Sequence, residues 1–233
     1  MEQHTIVSQE QWLAARRELL AQEKEFTHLR DKLSAMRRAL PWVRVEREYG
    51  FEGPEGRVTL PQLFDGKSQL VIYHLMFQPE SQAPCRSCAF WADAFDGMRA
   101  HLAQRDVRLI AVSRAPKAKL EAFAKRMGWT FPWYSAVDNT FNVDHGVTFP
   151  NLENDRSSKA YNFGTRVPDG SEMPGVSVFV RDADATVYRT YSCYARGIDA
   201  LNPAYQYLDL VPKGRDEAGL SHAMAWVRHH DNY

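Results

Sequence analysis

From Trp12 the chain places a large apolar residue at every seventh position, Leu19, Phe26, Leu33 and Leu40, with Leu29 and Met36 between them. A seven-residue repeat keeps one stripe on one side of an α-helix, so this segment is an amphipathic helical region. Ser8 followed three residues later by Gln11 has the form of a capping box at its start. Pro41, which cannot continue a helix, marks its end, and Thr27 is a candidate break within it. Two roles stay open for the stripe: packing across the rest of the domain, or pairing with a second helix in a homodimer.

The period changes after Pro41. Trp42 to Tyr49 and Arg57 to Leu60 read as short strands around Gly50, Gly53 and Gly56, with a turn at Asp65 and Gly66. Leu70 to Phe77 is an unbroken apolar run of strand length, the pattern of a central strand covered on both faces. A polar loop, Gln78 to Pro84, leads to two cysteines. Cys88 to Gln104 then reads as one helix with Phe90, Trp91, Ala94, Phe95, Met98 and Leu102 on one side. Val107 to Ser113 is a further strand, and Pro116 to Met127 a helix ended by Gly128. Strand and helix alternate here, which predicts parallel strands joined by right-handed crossovers.

Phe131 to Val137 reads as an edge strand, and the aromatics Trp129, Phe131, Trp133 and Tyr134 as packing residues. Residues 138–173 are polar, carry Pro150 and Pro168 and show no period, so they form a long loop expected to act as a lid or partner surface. Val176 to Asp182 and Thr186 to Ser192 flank a turn and predict an antiparallel hairpin. The tail predicts a helical turn at Pro203 to Leu210 and a helix from Ser221 to His230. The organisation expected is one domain over 1–233: a helical extension at 1–41, a core at 42–200 and a tail at 201–233.

Charge narrows the function. The 29 basic residues balance the 29 acidic ones, so no global field draws the protein to nucleic acid or to an anionic membrane surface. No apolar run approaches the roughly 20 residues that cross a bilayer, and the start lacks the basic and apolar regions of a secretory signal. A cytoplasmic protein is expected.

Only three cysteines are present, Cys85, Cys88 and Cys193, too few for a disulfide framework. Two thiols separated by two residues at the start of a helix are placed to close a small disulfide ring. The helix amides favour a thiolate, so Cys85 is expected to be the acidic, attacking sulfur and Cys88 the resolving one, with the Arg86 cation adding to the effect. Half of a zinc site is the competing metal reading. A zinc site needs a second close pair, whereas His145 and Cys193 stand alone and His229 and His230 are adjacent. Inert buried cysteines are the third reading. Cys193, at the end of a strand, is expected to be structural.

The strand, loop, dithiol and helix, followed by Met173-Pro174-Gly175 and a strand, resemble the thioredoxin superfamily. Tyr73 to Phe77, Phe90 to Asp93, Thr190 to Gly197 and Trp226 to Asp231 are more closely similar to a bacterial family of predicted dithiol-disulfide oxidoreductases. The resemblance implies a thioredoxin-like three-layer α/β/α fold with a mixed central sheet. It implies that Pro174 is the cis proline facing the dithiol, with a trans turn proline as the alternative, and that the Met173 backbone pairs with an extended substrate. His74 stands nearest to the buried proton acceptor of thioredoxins, and a core histidine is its other role. Trp91, Tyr191, Tyr194 and Arg196 are expected around the substrate.

The sequence departs from these families too: Pro84 replaces the thioredoxin tryptophan, Arg86-Ser87 separates the sulfurs, and Gln82 stands where peroxiredoxins carry threonine. The function expected is thiol-disulfide exchange on a disulfide-bearing protein or a small thiol compound, with a separate reductant and neither cofactor nor metal. A thiol peroxidase, or a thioredoxin-like binding module without turnover, are the alternatives.

Overall fold

The computed structural model describes residues 4–152, 157 and 160–233. The seven-residue stripe folds as one helix, α1 (Gln9–Arg38), with no break at Thr27. The Thr27 hydroxyl donates to the Glu23 carbonyl at 2.9 Å, which keeps it inside the helical ladder. The capping box is formed: the Ser8 hydroxyl accepts from the Gln11 amide at 3.3 Å and the Gln11 carboxamide from the Ser8 amide at 3.0 Å. None of the α1 residues is buried. Met1–Pro41 is one compact unit and Trp42–Tyr233 a second.

The second unit is built on one eight-stranded sheet, formed by β1 (Val43–Arg44), β2 (Gly50–Gly53), β3 (Gly56–Thr59), β4 (Gln69–His74), β5 (Val107–Ser113), β6 (Trp133–Ser135), β7 (Gly175–Arg181) and β8 (Val187–Tyr194). The strand order is β1-β8-β7-β4-β5-β6-β2-β3. The apolar run becomes β4, flanked by parallel β5 and antiparallel β7, as a strand buried on both faces must be.

The pleat sends alternate residues to two cores. Tyr73, Leu109, Ala111, Trp133 and Val176 face one side; Leu70, Ile72, Ile110, Val112, Tyr134 and Phe179 face the other. The first face is covered by α2 (Arg86–Ala92), α3 (Phe95–Gln104) and α4 (Lys117–Met127), through Trp91, Phe95, Leu120 and Phe123. The opposite face carries a thinner layer, the 3₁₀ turn Gln62–Phe64 and α5 (Phe141–Asp144), through Leu63, Phe64 and Phe141. This is the thioredoxin-like α/β/α arrangement with a mixed sheet. Gly128 ends α4 in the left-handed region, at φ 67°.

Three expectations are corrected. The helix expected from Cys88 to Gln104 is two helices, because the backbone turns at Asp93 and Ala94, where the Ala94 amide bonds back to the Trp91 carbonyl at 3.3 Å. The Asp93 carboxylate is held there by the Trp129 indole at 2.8 Å and by His230 at 2.6 Å. After α6 (Pro203–Leu208) no α-helix forms from Ser221 to His230. Met224 takes a positive φ of 66°, and the Glu217 carboxylate holds the Met224 amide and the Trp226 indole, so side-chain bonds replace a helical ladder. The described residues of the 138–173 stretch are packed in place of forming a free lid: they supply Phe141, Asn142, His145, Val147 and Tyr161 to the interior, with bridges between Thr148 and Glu172 and between Tyr161 and Arg166.

Candidate dithiol site

Beyond β4 the chain stays covered. The Leu75 amide donates to the Val112 carbonyl at 3.0 Å, and the loop returns so that the Cys85 amide donates to the Met76 carbonyl at 2.9 Å. This bond fixes Cys85 against the end of the central strand. Cys85 is the N-cap residue of α2, and its carbonyl accepts the first helical bond, from Ala89 at 3.0 Å. Cys85 is partly exposed and Cys88, within the first turn, is buried; neither sulfur is in a disulfide.

The two thiols are electrostatically unlike. Cys85 is lowered from 9.0 to about 6, chiefly because the Cys88 thiol donates to its sulfur; the amides of Cys88 and Ser87 and the Ser87 hydroxyl add to this and outweigh the opposing effect of burial. Cys88 moves the other way, well above its ordinary value, because it is the donor of that bond, is buried and faces the Cys85 charge. The Met76 amide and the Tyr73 hydroxyl oppose that rise without reversing it. The pair therefore holds one proton on the buried sulfur and a negative charge on the accessible one.

The residues singled out from sequence divide. Cys85 and Cys88 are together as expected. Arg86 is exposed on the first turn of α2, and its charge is not among the main influences on Cys85; the neighbouring thiol and amides act at shorter range. His74 is corrected as a proton acceptor. It follows Tyr73 on β4, so it points to the opposite face, where its nitrogens meet the Asn142 side-chain oxygen at 3.0 Å and the Ser177 hydroxyl at 2.9 Å. Burial lowers it to about 3, a neutral core histidine stacked on Phe141.

Pro174 lies just before β7, the strand antiparallel to β4, but no peptide bond among the described residues is cis. The trans alternative holds. Its carbonyl accepts from the Tyr161 hydroxyl at 2.5 Å, and the same hydroxyl accepts from the Ala195 amide at 2.8 Å. The Met173 amide is already bonded to the Val147 carbonyl at 2.9 Å, so it is not open to a substrate strand.

Trp91 is core: buried, its indole donates to the Ile198 carbonyl at 2.9 Å and its ring meets Tyr205 edge to face. Tyr194 is likewise buried, with its hydroxyl on the His145 carbonyl at 2.8 Å. Tyr191 is half-buried against the dithiol-side core. Arg196 is 86% exposed and pairs with Asp199 at 3.2 Å. Cys193 is buried in the core of the dithiol face.

Three residues near the dithiol gave no sequence signal of their role. Tyr73 is buried, with its hydroxyl against the Cys88 sulfur and no oxygen or nitrogen partner. Strand alternation could have found it, since it shares the face that Cys88 must pack on. Tyr161 sits close enough to Cys88 and Tyr73 for their charges to act on it, and it comes from the aperiodic segment. His229 is buried with its Nε2 on the Pro84 carbonyl at 3.1 Å, directly before Cys85.

A family model described as "Bacterial protein of unknown function (DUF899)" matches residues 1–233. No match was found among curated proteins. Solved structures similar to the chain include the peroxidoxin BcpB from Mycobacterium tuberculosis, 19% identical with a TM-score of 0.47, covering 70% of this chain and 90% of that one. A peroxiredoxin Q from Xanthomonas campestris is 17% identical with a TM-score of 0.41, covering 68% and 89%. A reduced 2-Cys peroxiredoxin from Plasmodium vivax is 16% identical with a TM-score of 0.41, covering 74% and 96%.

Proposed function

We propose that this chain, which belongs to the bacterial family of unknown function DUF899, exchanges electrons between its Cys85/Cys88 dithiol and a disulfide substrate. One observation carries the reading: the accessible sulfur is the acidic one, and its buried neighbour donates a proton to it. The resemblance of Tyr73 to Phe77 and Phe90 to Asp93 to predicted dithiol-disulfide oxidoreductases agrees with it.

The Cys85 thiolate attacks one sulfur of the substrate, forming a mixed disulfide and releasing the other substrate sulfur as a thiolate, which takes up the Cys88 proton. The Cys88 sulfur then attacks that of Cys85, and the second substrate thiolate leaves. The substrate gains two electrons and the protein ends as the Cys85–Cys88 disulfide, to be restored by an external dithiol.

Raised acidity decides the rate at neutral pH, because a thiol left at 9.0 is only about 1% thiolate at pH 7, whereas one near 6 is mostly ionised. Alkylation of Cys85 by iodoacetamide, followed by peptide mass spectrometry, is expected to reach half its limiting rate near pH 6. Cys85→Ser is expected to abolish the reduction of insulin disulfides, and Cys88→Ser to accumulate the mixed disulfide. A Cys85→Ser protein that reduces insulin at the wild-type rate would exclude the mechanism, and a Cys85 that alkylates only above pH 8 would favour a binding module without turnover.

A further inference from the structure

The apolar stripe of α1 is left unburied along a helix of 30 residues, about 45 Å in length. Trp12 is 52% exposed and Phe26 61%, and Leu19, Leu29 and Met36 are each more than half exposed. A stripe of this size gains stability only when another apolar surface covers it.

Its spacing specifies the surface. With Trp12, Leu19, Phe26, Leu33 and Leu40 at the first core position of each heptad, the second core position holds Ala15, Gln22, Leu29 and Met36. The flanking positions hold Arg16, Glu23, Arg30 and Arg37 on one side and Glu18, Glu25 and Lys32 on the other. We propose that α1 pairs with α1 of a second copy of this chain as an antiparallel two-helix coiled coil, with its two-fold axis passing between Thr27 and His28.

Charge decides both the occupant and the direction. In the antiparallel register Phe26 meets the partner's Leu29, Leu19 the partner's Met36, and Leu33 the partner's Gln22. Glu23 then faces the partner's Arg30 and Glu25 the partner's Lys32, and the two-fold axis repeats each pair, giving four opposite-charge contacts. Arg16 with the partner's Arg37 is of like charge and is likewise repeated, giving two unfavourable contacts against four favourable ones, and Arg16 is also bound at 2.7 Å to Glu23 of its own helix. A parallel pairing would set Glu18 against the partner's Glu23 and Lys32 against the partner's Arg37, leaving only Glu25 with Arg30 favourable. The stripe is thus self-complementary in one orientation, which is what a second copy requires.

The test is sedimentation equilibrium of the full chain. A dimer is expected at micromolar concentration, and Phe26→Glu combined with Leu29→Glu is expected to give a monomer with the unfolding transition of the Trp42–Tyr233 unit unchanged. Glu23→Lys sets two like-charge pairs in place of two attractive ones and is expected to weaken the dimer roughly tenfold, with Arg30→Glu added to it restoring the loss. A wild-type chain that is monomeric at these concentrations, or a double glutamate variant that stays dimeric, would overturn the pairing and leave the stripe to another protein. Tighter association of Glu23→Lys would overturn the antiparallel direction, because in a parallel pair the new lysine relieves a clash with Glu18.

Discussion

At Glu172 two forces act on one carboxyl. The Arg114 guanidinium at 3.4 Å favours the charged form and burial disfavours it; burial wins, raising the group from 4.5 to about 7. The folded protein therefore binds this proton more tightly than the unfolded chain does. Its contribution is intact below pH 4.5 and is lost as pH rises towards 7. Glu172→Gln is expected to match the wild type at pH 4.5 and to exceed its stability by about 1–2 kcal/mol at pH 8, read from denaturant midpoints. Nothing in the sequence marked this glutamate, because its surroundings come from other stretches of chain, Arg114 as its ion-pair partner and Thr148 as its bridge partner. The cysteines were legible for the opposite reason: two thiols one helical turn apart meet through local geometry alone. His74 is not beside the sulfurs because it is one residue out of step with the dithiol face, and on a strand one residue is the other face.

Among the elements, β7 begins at a glycine paired with His74, on the face away from the dithiol. A Cβ at Gly175 would stand 2.7 Å from the Tyr194 ring and 2.9 Å from Val147. Tyr194 cannot withdraw without giving up its bond to the His145 carbonyl. Gly175→Ala is expected to cost about 1–3 kcal/mol in thermal unfolding. Gly97→Ala in α3, where no heavy atom lies within 4 Å of the new carbon, is the contrasting control and is expected to gain about 0.5–1 kcal/mol. The strands β4, β5 and β7 were readable because continuous apolar runs of strand length have few other homes. The break between α2 and α3 was not, since its cause is Asp93 bonding to Trp129 and His230, both distant in sequence.

Over the whole Trp42–Tyr233 unit, the C-terminal residues return to the start of α2. His229 bonds the Pro84 carbonyl and packs on Phe123 at 5.0 Å, Arg126 holds Asp231 through bonds of 2.6 and 2.9 Å, and Trp226 meets Phe90 edge to face. Burial lowers the pKa of His229, so the ring is neutral at pH 7 with its Nε2 proton on the carbonyl. His229→Ala would leave that carbonyl without its side-chain donor and open a void beside Phe123. A loss of about 2–4 kcal/mol is expected, with faster hydrogen exchange at the Cys85 and Ala89 amides. Unchanged exchange there would separate the tail from the dithiol.

By itself the sequence determined the pattern of the central strands, the helical stripe of α1 with its capping box, and the pairing of Cys85 with Cys88. Each depends on residues within a turn or a strand of one another, where periodicity and peptide geometry suffice. Only the tertiary structure decided what surrounds the dithiol. Tyr73, Tyr161 and Pro84 with His229 arrive from four separate stretches of chain, and the trans bond at Pro174 and the occupied Met173 amide follow from where those stretches cross. Contacts of that kind are set by the closure of the sheet around β4, and no local pattern of apolar and polar residues encodes them.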